Sequence, residues 1–184
     1  MPFAVIEEDE KVFFNEQSLL PDRVIGIVIP SLVDRRLALI IQGCWHDTAK
    51  GDLLSELFRD GGALGSLQTR VQVGFAIGLY GEDIFADLKR IVKIRNAYAH
   101  QPGARDFKTQ PICDFTRDFV LPERHPKETS ATPETDTREQ RIERLMRASG
   151  LIDLKPLRHR YLRTTEIILT WLSIKSGHFD LPPP

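Results

Sequence analysis

Cysteine is scarce in this chain, and long hydrophobic runs are missing. Cys44 and Cys113 stand far apart with no CxxC spacing, which argues against a disulfide framework and against a zinc site of the usual spacing. The longest mostly apolar stretches, Val24–Val33 and Val71–Gly81, are much shorter than the roughly 20 residues that span a bilayer. The acidic N-terminus also lacks the pattern of a secretory signal. We therefore expect a cytoplasmic protein without a membrane segment.

An excess of positive charge is also missing. The 25 Lys and Arg residues are balanced by 26 Asp and Glu residues, for a formal net charge of -1. No overall positive field is available to hold nucleic acid, so any such binding has to be local. With 41% hydrophobic and 28% charged residues over 184 positions, the chain has the composition of one folded domain, which we expect to include residues 1–184.

The common catalytic and cofactor motifs are absent. The sequence contains no GxxxxGK[ST], no GxGxxG after a strand, no HExxH, no GxSxG and no EF-hand loop. Its five histidines are scattered singly, without a second histidine or a cysteine at a metal-ligand spacing. We expect neither a cofactor nor a bound metal.

Apolar residues instead recur at spacings of three and four, the periodicity of helices with one buried side. Asp22 is predicted to cap a helix that reaches Cys44 and is kinked rather than divided near Pro30. Ser66 is predicted to cap a second helix, Leu67 to about Leu79, whose Gly74 and Gly78 favour close packing within the bundle over a membrane dimer. A short amphipathic turn or two is predicted over 53–58, and further helices are predicted over 82–100, 112–121, 141–147 and 157–175.

Residues 122–138 contain no large apolar side chain, and we interpret them as a mobile loop. Residues 178–184 form a proline-rich tail. No alternating strand pattern with a hairpin turn is present. The fold class is therefore predicted to be all-α: an antiparallel bundle of about four main helices with short accessory helices.

Arg95 is the residue that does not fit this pattern. It follows Ile84, Leu88 and Ile91 on their stripe, where an apolar residue is expected. A buried guanidinium needs a partner, because an unpaired buried charge is strongly destabilising. Two interpretations remain open: a buried ion pair with Glu166 of the last helix, or a cleft or subunit interface that Arg95 faces.

Asn96 and His100 lie four residues apart on one side of the same predicted helix, and Arg95 is adjacent to Asn96. An arginine and a histidine in one cleft combine a permanent cation with a general acid or base, which suffices for phosphoryl chemistry without a metal. The alternative is that His100 only caps the end of the helix.

The segment Arg95-Asn96-Ala97-Tyr98-Ala99-His100 resembles the Arg-x4-6-His motif of the HEPN superfamily. These are all-helical domains, among them metal-independent endoribonucleases that assemble a composite site across a dimer. The resemblance implies Arg95 and His100 as catalytic residues, with Asn96 as a substrate-positioning group, and RNA as the substrate.

A wider resemblance runs through Asp22–Trp45, Gly62–Leu67, Arg70-Val71, the helix end at Gly78-Leu79, the segment 95–100 and the final long helix. Over these segments the chain resembles the mannitol operon repressor family. That family is compact and all-helical and has no recognisable DNA-binding module. The resemblance implies a transcriptional regulator that acts through protein contacts, with a protein partner or self-association as a homodimer.

A basic stretch lies near the C-terminus. Residues 137–163 hold eight Lys or Arg (Arg138, Arg141, Arg144, Arg147, Lys155, Arg158, Arg160, Arg163) and three acids, a surplus of five positive charges. A nucleic-acid or acidic-partner surface is one interpretation, and a solvated helix face is the other. No helix-turn-helix spacing is present, so we expect no sequence-specific DNA binding by the chain alone.

Three functions therefore remain open. The leading hypothesis is a regulator-like helical protein that acts through protein–protein contacts. The alternative is a HEPN-type endoribonuclease that uses Arg95 and His100. The third is a helical interaction module with no role in nucleic-acid chemistry.

Overall fold

The computed structural model describes residues 20–44, 51–104, 106–125 and 157–176, which form seven helices and no strand. In chain order these are α1 (Asp22–Gly43), α2 (Asp52–Phe58), α3 (Leu67–Ala76), α4 (Glu82–His100), α5 (Ile112–Arg117), α6 (Leu121–Arg124) and α7 (Leu157–Ser176). The predicted all-α class is confirmed, with α1, α3, α4 and α7 as the four main helices.

Helix α4 lies at the centre and packs on α1, α3, α5 and α6. Its inner side is apolar and buried (Ile84, Leu88, Ile91, Ile94, Tyr98). The ring of Tyr98, near the end of α4, lies against Gly26, near the start of α1. Asp22 and Arg158 join the first turns of α1 and α7, with 2.7 Å between Oδ1 and Nη1. Helices α1 and α7 therefore start at the same end of the bundle, where α4 finishes.

The start of α1 differs from the prediction. Pro21 occupies the N-cap position, and Asp22 is the first helical residue and makes no capping bond. Its carboxylate instead accepts a hydrogen bond from the backbone N–H of Phe107 at 3.1 Å and pairs with Arg158. These partners are distant in sequence, so local capping rules did not reveal them. Pro30 lies inside an undivided helix, as expected.

Helix α3 begins as predicted. The Ser66 hydroxyl accepts a hydrogen bond from the backbone N–H of Thr69 at 3.1 Å. The helix ends at Ala76, earlier than expected, because Gly78 takes a left-handed φ of 74° and the Leu79 N–H donates to the Gly74 carbonyl. This is a Schellman-type end, in which glycine avoids the strain that a side chain would introduce.

The predicted helix over 112–121 is two short helices, α5 and α6, and a buried carboxylate explains the second one. Asp87 of α4 has a fully buried side chain. It accepts hydrogen bonds from the N–H groups of Val120 and Leu121 at 3.0 and 2.9 Å, which satisfies the start of α6. Burial raises the pKa of Asp87, while these two N–H groups and Arg90 favour its charged form.

Helix α6 includes Pro122, so the predicted loop over 122–138 does not begin there. The remainder of that loop beyond His125 lies outside the described residues, as do the predicted helix over 141–147 and the tail over 178–184. No helix in the described ranges is long and apolar enough to cross a membrane.

Candidate functional site

The three residues of the predicted catalytic motif lie together on the last turns of α4 and are exposed. Arg95 donates a hydrogen bond from Nη1 to Oδ1 of Asn96 at 3.0 Å. His100 is the final residue of the helix, one turn beyond Asn96. An arginine and a histidine on one solvent-facing surface are accessible to a ligand. There is also a purely structural reason for a basic residue at this position, because the last turn of a helix carries the negative end of the helix dipole.

Of the two interpretations of Arg95, the one in which its side chain is buried is wrong. Ile94 and Tyr98 are buried on the inner side of α4, and Arg95 lies beside them on the exposed side. A stripe of 3.6-residue period can step from Ile91 to residue 94 as readily as to residue 95. Spacing alone did not distinguish the two positions.

The partner proposed for Arg95 lies in a different contact. Glu166 of α7 pairs with Arg163, at 2.9 Å between Oε2 and Nη1. Within the described ranges, no ion pair between Arg95 and Glu166 is formed. Arg95 therefore contributes no buried charge that the fold has to neutralise.

The basic stretch near the C-terminus is used inside the fold wherever the structure describes it. Arg158 pairs with Asp22. Arg160 donates from Nε to the Thr116 carbonyl at 3.0 Å and pairs with Glu123 at 2.6 Å. Arg163 donates from Nη2 to the carbonyl of His125, at the end of α6, at 3.1 Å. These contacts attach α7 to α1, α5 and α6. The remaining five basic residues of the stretch lie outside the described ranges.

A second basic surface was missed at the sequence level. Lys89 and Lys93 are exposed on α4, one turn apart, and Asn96 and His100 continue the same side of the helix. The Lys89 ammonium lies 5.1 Å from the ring centroid of Phe85, and that of Lys93 lies 5.2 Å from the ring centroid of Phe115 on α5.

We call Lys89, Lys93, Asn96, His100 and the flanking rings of Phe75, Phe85 and Phe115 the basic–aromatic face. Phe75 of α3 stacks on Phe85 with 4.2 Å between centroids. Counting charges along α4 would have found this face, because Leu88–His100 contains four Lys or Arg, one His and no acid. When charge is counted over longer stretches of the chain, this local surplus of positive charge is averaged out.

Three of the five large apolar side chains that are exposed in the described residues lie near the start of α4, at the other end of the helix from His100; the other two are Val24 and Leu53. Trp171 and Ile174, on the last turns of α7, are 39% and 51% exposed. The Trp171 indole donates from Nε1 to the Leu79 carbonyl at 3.3 Å. Ile77, two residues before Leu79, is 48% exposed. We call Ile77, Trp171 and Ile174 the apolar patch.

The described residues support neither a metal-binding site nor a disulfide bond. No group of three or more His, Cys, Asp or Glu side chains there is suitably placed to hold a metal ion. Cys44 and Cys113 are both free thiols, and burial raises the pKa of each. Raised thiol pKa values disfavour the thiolate, which is the nucleophilic form.

Comparison with known proteins links this architecture to one family. The family model described as the mannitol repressor matches residues 46–172, more than half of the chain. Among solved structures, the fold is similar to that in the X-ray structure of the MtlR-HPr complex from Escherichia coli, with a TM-score of 0.59 and 15% sequence identity. That match covers 89% of this chain and 97% of the other. No curated protein matches significantly.

Proposed function

Because this chain belongs to the mannitol repressor family, we propose that it regulates transcription by binding a partner protein and not by reading DNA bases itself. The observation that carries this proposal is the apolar patch. Exposed apolar side chains gathered at one place on a surface, with a tryptophan among them, are typical of protein-binding sites.

The patch is suited to binding because its tryptophan is already oriented. The hydrogen bond from Trp171 Nε1 to the Leu79 carbonyl holds the indole against the turn that follows α3. Lys175 lies 5.3 Å from the Trp171 ring centroid and places a charge at the edge of the patch. A side chain fixed before binding loses less conformational entropy in a complex.

HPr is the partner that we propose to test first. The structurally similar E. coli protein was crystallised with HPr. At 15% identity that likeness supports a common fold, and the partner has to be tested on this chain directly. Titration calorimetry of the purified chain with HPr should show saturable binding.

The location of the interface is tested with Ile77→Gln/Ile174→Gln. Removal of both apolar side chains should weaken HPr binding by about tenfold or more, equivalent to about 1.4 kcal/mol. Leu53→Gln is the matched control, because Leu53 on α2 is as exposed as Ile174, at 51%. Equal loss in both variants would contradict the apolar patch as the interface, and no binding to the unmodified chain would contradict HPr as the partner.

Direct DNA recognition is the competing route of regulation. The net charge of -1 and the internal use of Arg158, Arg160 and Arg163 leave little positive charge on α7 for a phosphate backbone. Fluorescence anisotropy with promoter DNA should show only weak binding that disappears with salt. Sequence-selective binding at physiological ionic strength by the isolated chain would overturn this part of the proposal.

A metal-independent endoribonuclease is the second candidate function. The joint exposure of Arg95, Asn96 and His100 at the end of α4 favours it, because a catalytic arginine and histidine have to reach the RNA. Single-stranded RNA should then be cleaved in the presence of EDTA, and His100→Ala should abolish cleavage. His159→Ala, an exposed histidine on α7, is the control that should remain active. An unmodified protein inactive on varied RNAs would exclude this function.

A further inference from the structure

The basic–aromatic face carries two exposed lysines beside aromatic rings, whereas the apolar patch consists of apolar side chains. We propose that it is a second binding surface, which takes an acidic, partly apolar segment of a partner protein. Carboxylates of that segment would pair with Lys89 and Lys93, and its apolar side chains would pack against the lysine methylenes and the edges of the half-buried rings of Phe85 and Phe115. The proposal does not depend on the regulatory partner assigned to the apolar patch.

In the described part of the bundle, the lysines of this face form no ion pair. Elsewhere in the bundle, cations pair with carboxylates: Arg70 with Asp34 at 2.5 Å and Arg90 with Asp87 at 2.8 Å. In the described ranges Lys89 and Lys93 have no carboxylate partner and contact only aromatic rings. Their ammonium groups are therefore available to external carboxylates.

The charges of the face act together. Positions four residues apart on a helix are separated by about 6 Å along the axis, which is within the Debye length of roughly 8 Å at physiological ionic strength. Arg95 extends the same sign toward the helix end, and no acidic residue interrupts Leu88–His100. The resulting local field attracts anionic groups even though the whole chain is nearly neutral.

The aromatic rings favour a protein segment over a nucleic acid. Phe85 has Phe75 stacked on one ring face and Lys89 over its ring, so it has no open face on which a base could stack. Lys93 lies over one face of the Phe115 ring. The rings of Phe85 and Phe115 are half-buried, and the lysine methylenes beside them suit aliphatic side chains.

The first experiment measures the fluorescence polarisation of a fluorescein-labelled peptide of Glu, Asp and Leu added to the full chain. We expect binding that weakens as salt increases. Lys89→Glu/Lys93→Glu should reduce the affinity by about tenfold or more, because two attractions become repulsions. Arg59→Glu/Lys108→Glu is the control: it makes the same change of net charge at exposed positions elsewhere, and should reduce the affinity less than threefold, roughly the effect of distant exposed charges screened by salt.

A second double variant tests whether a loss of peptide binding is caused by misfolding. Lys89→Ala/Lys93→Ala removes the cations without introducing acids on α4, and should retain the helical circular dichroism spectrum while it weakens peptide binding. No peptide binding by the unmodified chain, or equal losses in the face and control variants, would overturn the proposal. Tighter binding of oligouridylate RNA than of the peptide, lost in the same face variant, would overturn it in favour of a nucleic acid.

Discussion

The two sides of α4 make opposite use of charge. On the inner side, Asp87 is fully buried and engaged by Arg90 and by two backbone N–H groups. On the outer side, Lys89 and Lys93 are exposed and contact only aromatic rings in the described part of the chain. A single helix thus separates the groups that stabilise the bundle from those available to a partner. Substitutions on the two sides should have different consequences.

The largest effect is expected at Asp87. Asp87→Ala leaves Arg90 and the N–H groups of Val120 and Leu121 without their buried acceptor, which should lower the free energy of unfolding by about 3 kcal/mol. Urea denaturation measures this loss.

The neighbouring carboxylate provides the control. Asp83→Ala removes a pair with Arg124 in which both side chains are partly exposed, and should cost about 1 kcal/mol or less. Similar losses in the two variants would show that burial of Asp87 does not matter to stability, and the contrast between the two sides of α4 would fail.

An intermediate effect is expected where α4 approaches α1 most closely. In Gly26→Ala the new Cβ would lie 2.2 Å from Cδ2 of the buried Tyr98 ring, which must move. Overpacking of this kind should cost about 2 kcal/mol. Gly103→Ala adds the same methyl group into open space and should leave the thermal unfolding midpoint nearly unchanged. A stable Gly26→Ala variant would show that this helix contact adjusts freely.

The smallest effect is expected at Arg95. Because it is exposed and bonded only to Asn96 among the described residues, Arg95→Ala should change the free energy of unfolding by less than about 0.5 kcal/mol. Arg160→Ala is the comparison variant and should lose about 2 kcal/mol, since Arg160 binds backbone carbonyls of Thr116 and Phe119. A larger loss of stability in Arg95→Ala than in Arg160→Ala would indicate that Arg95 forms a buried ion pair after all.

Much of the helical architecture could be predicted from local signals in the sequence. The serine cap at Ser66, the periodicity of Glu82–His100 and that of the last helix predicted three of the main helices. Each of these signals depends only on neighbours within a few residues. Gly78 was a further local signal, and with it the end of α3 at Ala76 was predictable.

Long-range contacts account for the predictions that were wrong or incomplete. Asp22 was assigned to a helix cap, yet its partners are Phe107 and Arg158. The predicted helix over 112–121 divides into two because Asp87 binds the backbone at Val120 and Leu121. No local pattern indicates a partner that is tens of residues away in the chain.

The all-helical class followed from residue types and their spacing, because helical periodicity and caps are properties of short segments. The family followed from a resemblance over segments along the chain. The roles of individual charges followed only from packing. The sequence gives the position of a cation around its helix. Whether that cation contacts a carboxylate, an aromatic ring or water depends on how the neighbouring helix packs against it. For that reason Arg158 and Arg160 hold α7 in place, while Lys89, Lys93 and Arg95 remain on the surface.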